Sequence, residues 1–540
     1  MAASEPGEGD GRISLRLRIG VTGHREIADS VQAAAQVRRA VERIHGIVRN
    51  SSSTPVYFTV VSPIAEGADQ LVADEVLRTP GAQLEVPLPL DRDRYFELSF
   101  SSVAGRQRFA ELFARANVVI SPPDLTEATA SFEAVSRYVV TSSDLLIALW
   151  NGEHSDRRGG TATTIAFARS RGLPMVLIPV GGDAPILEER VPDNFLLLFE
   201  DLAYYNRQAL SMDRHHQEAA EWARHLVMVA KDTGCDADAV AAVAEWAAPF
   251  QARADLLARR FQRLYEWLGA AAFVLAATAV VVAAIQVLLW PERPQLALVE
   301  VGLMALLVPL VLVGRRWRLR DRWVTYRFLA ERFRSAPFLL LAGMRDRLST
   351  GAVTTGRGRG ASEPWLQRAF SEVWALRPSL DANQVDSGGL RRFLASAWID
   401  ERAAYYVRAS HHQRTAHVRL TWASHCMFGA TFLAATLHAL GVGGDHHAGT
   451  LSVSNFLILA GIGLPAFGGA ISGIRVQREY LRHAERYQDM AELLKASSLK
   501  LADAERDQIS NVAVEADEQM AHENGDWVGI MTFHDFEIHV

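Results

Sequence analysis

The sequence predicts an α/β domain built on a parallel sheet, followed by an all-α region with four transmembrane helices. Three observations carry this. The first 205 residues alternate short β-branched runs with helix-like stretches. Four long apolar segments then follow in two tight pairs. Between and after them the chain reads as charged helix. Its 540 residues exceed one ordinary domain. The 49% apolar and 22% charged composition excludes wholesale disorder. Fifty-six Lys and Arg against 62 Asp and Glu give a net charge of −6, which argues against a polyanion binder. Two cysteines, Cys235 and Cys426, exclude a disulfide scaffold and fit a reducing compartment.

The strands are read at Leu15–Val21, Val56–Val61, Gln83–Leu88, Asn117–Ile120, Asp144–Trp150 and Met175–Val180. Three of them run into glycine-containing turns that open helices: Thr22-Gly23-His24-Arg25, Glu66-Gly67-Ala68-Asp69 and Gly159-Gly160-Thr161. Backbone N–H groups at helix starts are positive and unpaired, so such turns attract phosphate. In open parallel sheets, ligands sit beyond the carboxyl ends of the strands, where strand order reverses. The domain therefore reads as Rossmann-like, with a nucleotide-type anion as its expected ligand.

The apolar segments are Leu268–Trp290, Leu296–Gly314, Leu420–Val442 and Leu451–Ile474. Each is long enough to cross a hydrocarbon layer of roughly 30 Å. Arginines flank their paired ends: Arg259, Arg260 and Arg263 before the first, Arg315, Arg316 and Arg318 after the second, Arg414 and Arg419 before the third, Arg475 and Arg478 after the fourth. The turns Pro291–Gln295 and Gly443–Thr450 carry only Arg293. The positive-inside rule then expects both hairpins to point outward, with both termini and all soluble mass cytoplasmic. The acidic, Gly-rich first dozen residues, without an apolar leader, give the same expectation.

The hairpins read as copies of one unit. Tyr326 through Ala330-Glu331-Arg332 to Phe333 recurs as Tyr480 through Ala484-Glu485-Arg486 to Tyr487, at an offset of 154 residues. The expected organisation is a disordered tail (1–12), a nucleotide-sensing domain (13–205), a helical connector (206–250), hairpin 1 with its cytoplasmic helix (251–345), a linker (346–395), hairpin 2 (396–510) and a C-terminal tail (511–540). Within the linker, Ser349–Pro364 is the flexible part and the remainder is helical in composition. The histidines at 411, 412, 417, 446 and 447 lack metal-ligand spacing and read as interfacial polar residues, and no metal is expected. Glu300, inside the second span, either lines a cation path or reaches the interface.

Gly20-Val-Thr-Gly-His-Arg25, Ile64-Ala-Glu-Gly-Ala-Asp69, Asp144 through Trp150-Asn-Gly152 and Gly159-Gly-Thr161 together resemble the SLOG superfamily. That Rossmann-like group includes cytokinin-activating phosphoribohydrolases, DNA-processing proteins and nucleotide sensors of bacterial conflict systems. The hairpins with their trailing helix resemble SLATT membrane effector modules. The resemblance implies ligand contacts from Thr22, Gly23, His24, Arg25, Glu66, Gly67, Asp69, Gly159, Gly160 and Thr161, with the Glu66 and Asp69 carboxylates accepting from ribose or base. Tyr138 and Trp150 are candidates either for stacking on a base or for core packing. The hydrolase members carry a glutamate shortly after the Gly-Gly motif. Here Ala162-Thr163-Thr164-Ile165 supplies no carboxylate, so no catalytic residue is assigned and the domain reads as a sensor. The expectation is a nucleotide-messenger-gated membrane effector of a bacterial antiphage or stress system, oligomeric, in the inner membrane, with no resident cofactor. A membrane-anchored nucleotide or N-glycoside hydrolase is the alternative.

Overall fold

The computed structural model describes residues 9–48, 53–122, 127–153, 159–180, 187–189, 197–344, 364–380, 386–442 and 452–532. The chain divides into two units. The first comprises Arg12–Ala209 with Gln367–Glu372, the second Leu210–Leu366 with Val373–Val540.

In the first unit β1 (Leu15–Gly23), β2 (Val56–Val61), β3 (Gln83–Pro87), β4 (Val118–Ile120), β5 (Leu145–Trp150), β6 (Met175–Pro179) and β7 (Leu187–Glu189) form one sheet in the order β4-β3-β2-β1-β5-β6-β7. All neighbours are parallel except β7, which runs antiparallel to β6. The connecting helices are α1 (Ser30–Ile47), α2 (Ala68–Val76), α3 (Arg92–Ser99), α4 (Val103–Phe113), α5 (Ala128–Thr141) and α6 (Thr161–Ser170), with α7 (Leu197–Arg207) after β7. The central strands β1, β2 and β5 bury Leu17, Ile19, Phe58, Val60, Leu146 and Ile147 completely, as expected of a sheet covered on both faces. The buried Asn206 on α7 closes the unit. Its side chain accepts from Ile13 N–H (3.0 Å) and donates to the Ile13 carbonyl (2.7 Å) and Thr54 Oγ1 (3.1 Å). The expected six strands are present; β7 was not foreseen.

The second unit is helical. It contains α8 (Met212–Thr233), α9 (Ala237–Leu289), α10 (Leu296–Arg316), α11 (Leu319–Leu341), α12 (Pro364–Ala375, whose middle belongs to the first unit), α13 (Ser387–Leu394), a π-helical turn at Ala395–Asp400, α14 (Glu401–Ala439), α15 (Val453–Gln477), α16 (Tyr480–Asp503) and α17 (Arg506–Thr532). Among the described residues three helical segments are long and apolar enough to cross a membrane: Ala237–Leu289, Leu296–Leu341 and Val453–Asp503. The expected fourth, Leu420–Val442, is not among them. Thr421, Ser424, His425, Thr431, Thr436 and His438 dilute its apolar content. Both termini on one side, which an even number of crossings would give, does not follow from three.

α15 packs antiparallel on both α14 and α9. Ser424 pairs with Ser472 (2.9 Å) and Ser454 with His438 (3.2 Å). Gly463 and Gly473 face Val281 and Phe273, and Asn455 donates to the Leu288 carbonyl (3.3 Å). No residue of α10 is buried.

The two helices that follow the hairpins share a backbone feature at their starts. Arg318 and Glu479, 161 residues apart, both adopt left-handed backbone (φ 46° and 44°) immediately before α11 and α16. At that offset Tyr326 matches Tyr487, Ala330-Glu331 matches Ala491-Glu492, and Phe333 matches Leu494. Tyr326 packs on Phe261 of α9 and Tyr487 on Tyr406 of α14.

Among the described residues, parts of two expected tails make contacts. The region 511–540 is not a tail up to residue 532: Ile509, Ala513, Ala516 and Met520 bury one helical stripe of α17, and Asp517 pairs with Arg332 at 2.6 Å. In the 1–12 tail, the Gly9 carbonyl faces His216 Nε2 at 3.2 Å. Within the expected linker, α12 and α13 occupy the later part. Residues 1–8, the flexible part of the linker up to residue 363, the turn Gly443–Thr450 with His446 and His447, and residues 533–540 lie outside the described residues.

Candidate functional site

The chain leaves β1 toward β2, β3 and β4, then returns to β5 on the other side of β1, so strand order reverses between β1 and β5. A cleft of about 1000 Å³ opens at the carboxyl ends of these strands. The three glycine turns meet there. Thr22, Gly23, His24, Arg25, Glu66, Asp69, Trp150, Gly159, Gly160 and Thr161 all line it.

Close backbone contact explains the glycines. A Cβ on Gly23 would lie 2.3 Å from the Ala68 Cβ and 2.9 Å from the Leu149 carbonyl oxygen. His24 N–H donates to that carbonyl (3.1 Å), and Ala68 N–H donates to the His24 carbonyl (3.0 Å), so the β1 turn is bonded to both neighbours. Gly67 has φ 93°, and a Cβ there would sit 2.1 Å from the Arg25 carbonyl oxygen. It does not line the cleft; it lets the β2 turn close against the β1 turn.

The start of α6 is open. Gly160 caps it without a side-chain hydrogen bond, and its first turn has no acidic residue. The first N–H groups of a helix have no partner within the helix and carry partial positive charge. α2 likewise begins at Gly67 without a side-chain cap, but it carries Asp69 in its first turn.

The carboxylates divide into two roles. Glu66 accepts from Ser101 N–H (2.7 Å), Ser101 Oγ (3.1 Å) and Ser102 Oγ, tying the β2 turn to the start of α4. Burial works to raise its pKa, but the Ser102 and Ser101 hydrogen bonds outweigh it and hold it below the ordinary value. Both of its oxygens are thus engaged within the protein. Asp69 is 7% exposed and forms no ion pair among the described residues. Burial pushes its carboxyl up to about 7, against hydrogen bonds from Ser62 and Ala65 N–H and the Arg25 charge. Beneath it lies the buried Tyr95, whose hydroxyl donates to the Pro63 carbonyl (3.2 Å).

Arg25 is exposed and donates to the Leu98 carbonyl (3.2 Å) and Ser99 Oγ (3.4 Å). Trp150 lines the cleft half-buried, its indole N–H donating to the Glu153 carbonyl (3.0 Å) and Arg169 lying 5.8 Å from its ring. Tyr138 is not at the site. Its ring packs on the core between α5 and the sheet, and its hydroxyl donates to Glu85 (2.8 Å), so the core-packing alternative holds for it.

Several lining residues escaped the sequence reading. Asn151 stands inside a quoted motif, and its side-chain oxygen lies 2.9 Å from His24 Nε2. Ile27, Pro63, Tyr95, Leu98, Phe132 and Val135 give the cleft an apolar wall. Phe132 and Tyr95 sit on helices remote in sequence from any glycine turn, and only the fold brings them in. Polar turns interleaved with apolar side chains suit a ligand that carries both an anionic group and a flat organic part. Among the described residues no group of three or more His, Cys, Asp and Glu could hold a metal ion.

Neither a comparison with protein-family models nor one with curated proteins finds a match for this chain.

Proposed function

We propose that this chain is a ligand-gated membrane effector whose α/β unit senses a phosphorylated nucleotide messenger. The observation that carries the reading is the convergence of three strand-end glycine turns, one of them opening the uncapped start of α6, on a single cleft at the strand-order reversal. Phosphate binds at the Gly159-Gly160-Thr161 turn, and Arg25 and His24 supply further polar groups to the same cleft. The nucleobase lies against Phe132, Leu98 and Tyr95. This reading keeps the SLOG-like and SLATT-like assignments as the proposed ancestry of the two units.

The helical unit supplies the output. Ligand binding biases its three candidate spans between two arrangements, and several copies assemble to open the bacterial inner membrane in an antiphage or stress response. Taking such a switch from 1:99 to 99:1 requires about 5.5 kcal/mol of differential affinity. Assembly of several subunits shares that requirement among several bound ligands.

The test is thermal denaturation of the full-length protein with AMP, ADP-ribose and cyclic dinucleotides, with chromatography of the nucleotides afterwards. Stabilisation with the nucleotide recovered intact supports the sensor. Stabilisation with a cleaved nucleotide supports the anchored nucleotide or N-glycoside hydrolase instead. No shift with any member overturns nucleotide sensing.

A further inference from the structure

The cleft holds an acid in an unusual place for an anion site. Asp69 lies in the first turn of α2, lines the cleft and is more than nine-tenths buried. A buried carboxylate needs a cation or several hydrogen-bond donors, and an isolated one takes up a proton instead. The donors here are few: Ala65 N–H at 3.4 Å and the Ser62 hydroxyl, whose oxygen in turn accepts from Ile64 N–H (3.0 Å). The nearby cation, Arg25 on the β1 turn, is exposed and bonded to Leu98 and Ser99. From α3, Tyr95 presents a buried phenol whose proton is held against release by burial and by Asp69 itself. Glu66, in the adjoining turn, is occupied by Ser101 and Ser102. These few donors and the start of α2 replace only part of the water that a carboxylate loses on burial, and burial outweighs them.

Resting on the nucleotide-sensor reading, we propose that Asp69 is a specificity-determining residue that meets the ligand as a neutral acid, donating a hydrogen bond to an acceptor atom, so that ligand and proton bind together. This reverses the role expected from the sequence, in which Asp69 accepts from ribose or base. It also removes a conflict, because a neutral acid does not repel the phosphate that the neighbouring turns attract. The ligand class narrows accordingly to phosphorylated molecules that present an acceptor, such as a carbonyl, ring nitrogen or phosphoryl oxygen, at the Asp69 position. A hydroxyl serving only as a donor is disfavoured there.

The experiment uses the full-length protein in detergent and ADP-ribose as the probe, because its phosphodiester charges do not change between pH 5.5 and 8.5. Wild-type affinity is expected to fall as pH rises above 7, approaching tenfold per pH unit, while Asp69→Asn, which keeps a donor at every pH, shows a flat profile. Identical pH slopes in the two proteins overturn the proposal. If ADP-ribose binds neither protein at any pH, that result counts against the choice of nucleotide, and the melting temperature of the apo protein decides the role of Asp69. Wild type must then lose stability relative to Asp69→Asn as pH rises from 5 to 8, and parallel curves overturn the neutral acid.

Discussion

His24 Nε2 lies 2.9 Å from the Asn151 side-chain oxygen, so the ends of β1 and β5 are joined across the point where strand order reverses. Asn151 N–H also points at the same ring nitrogen, at 3.2 Å, and Glu153 N–H donates to the Asn151 oxygen (3.1 Å). The imidazole nitrogen either donates to the side chain or accepts from the backbone; it cannot do both. The β5 turn is therefore held by a bond whose direction depends on the histidine tautomer. Asn151→Ala removes the side-chain half. Because Asn151 is exposed, the fold is expected to remain intact while nucleotide affinity falls about five- to tenfold, measured by isothermal titration.

Gly160→Asp places a carboxylate at the start of α6. Asp is a favoured capping residue, so helix stability is expected to hold or rise by a few tenths of a kcal/mol. The same carboxylate occupies the N–H groups and repels phosphate. Nucleotide binding is expected to weaken more than tenfold while the melting temperature does not fall. Unchanged affinity would remove this turn from the site.

Gly67→Ala tests the backbone packing beneath the site. The residue sits at φ 93°, and the new methyl would meet the Arg25 carbonyl at 2.1 Å. Left-handed strain of roughly 1–3 kcal/mol adds to the clash, so denaturant unfolding is expected to show a loss of at least about 2 kcal/mol.

In the helical unit, the buried Glu331 pairs with Arg402 at 2.7 Å and with Arg327 at 3.2 Å. Glu331→Gln leaves buried guanidiniums without their carboxylate and is expected to cost about 3–5 kcal/mol at neutral pH. The loss is read by circular dichroism melting.

The parallel sheet was legible because β-branched runs such as Val56–Val61 end in glycine turns, a pattern that few other folds produce. β7 was not, since the three residues Leu187-Glu-Glu189 are too few to show alternation and pair with β6 only in the fold. The left-handed residues before α11 and α16, Arg318 and Glu479, were not legible, because Arg and Glu seldom take that conformation. The glycine turns of the cleft could be read from the sequence and its apolar lining could not, because Tyr95 and Phe132 reach it only through the packing of α3 and α5. Tyr138 and Trp150 looked alike in sequence, yet a one-sided approach to the strand ends admits only Trp150.

Dye release from liposomes carrying the full-length protein tests the central claim most directly. The nucleotide that stabilises the protein is expected to trigger release from wild type and to fail with Gly160→Asp. Release that is independent of nucleotide, or none at saturating nucleotide, would contradict a gated membrane effector.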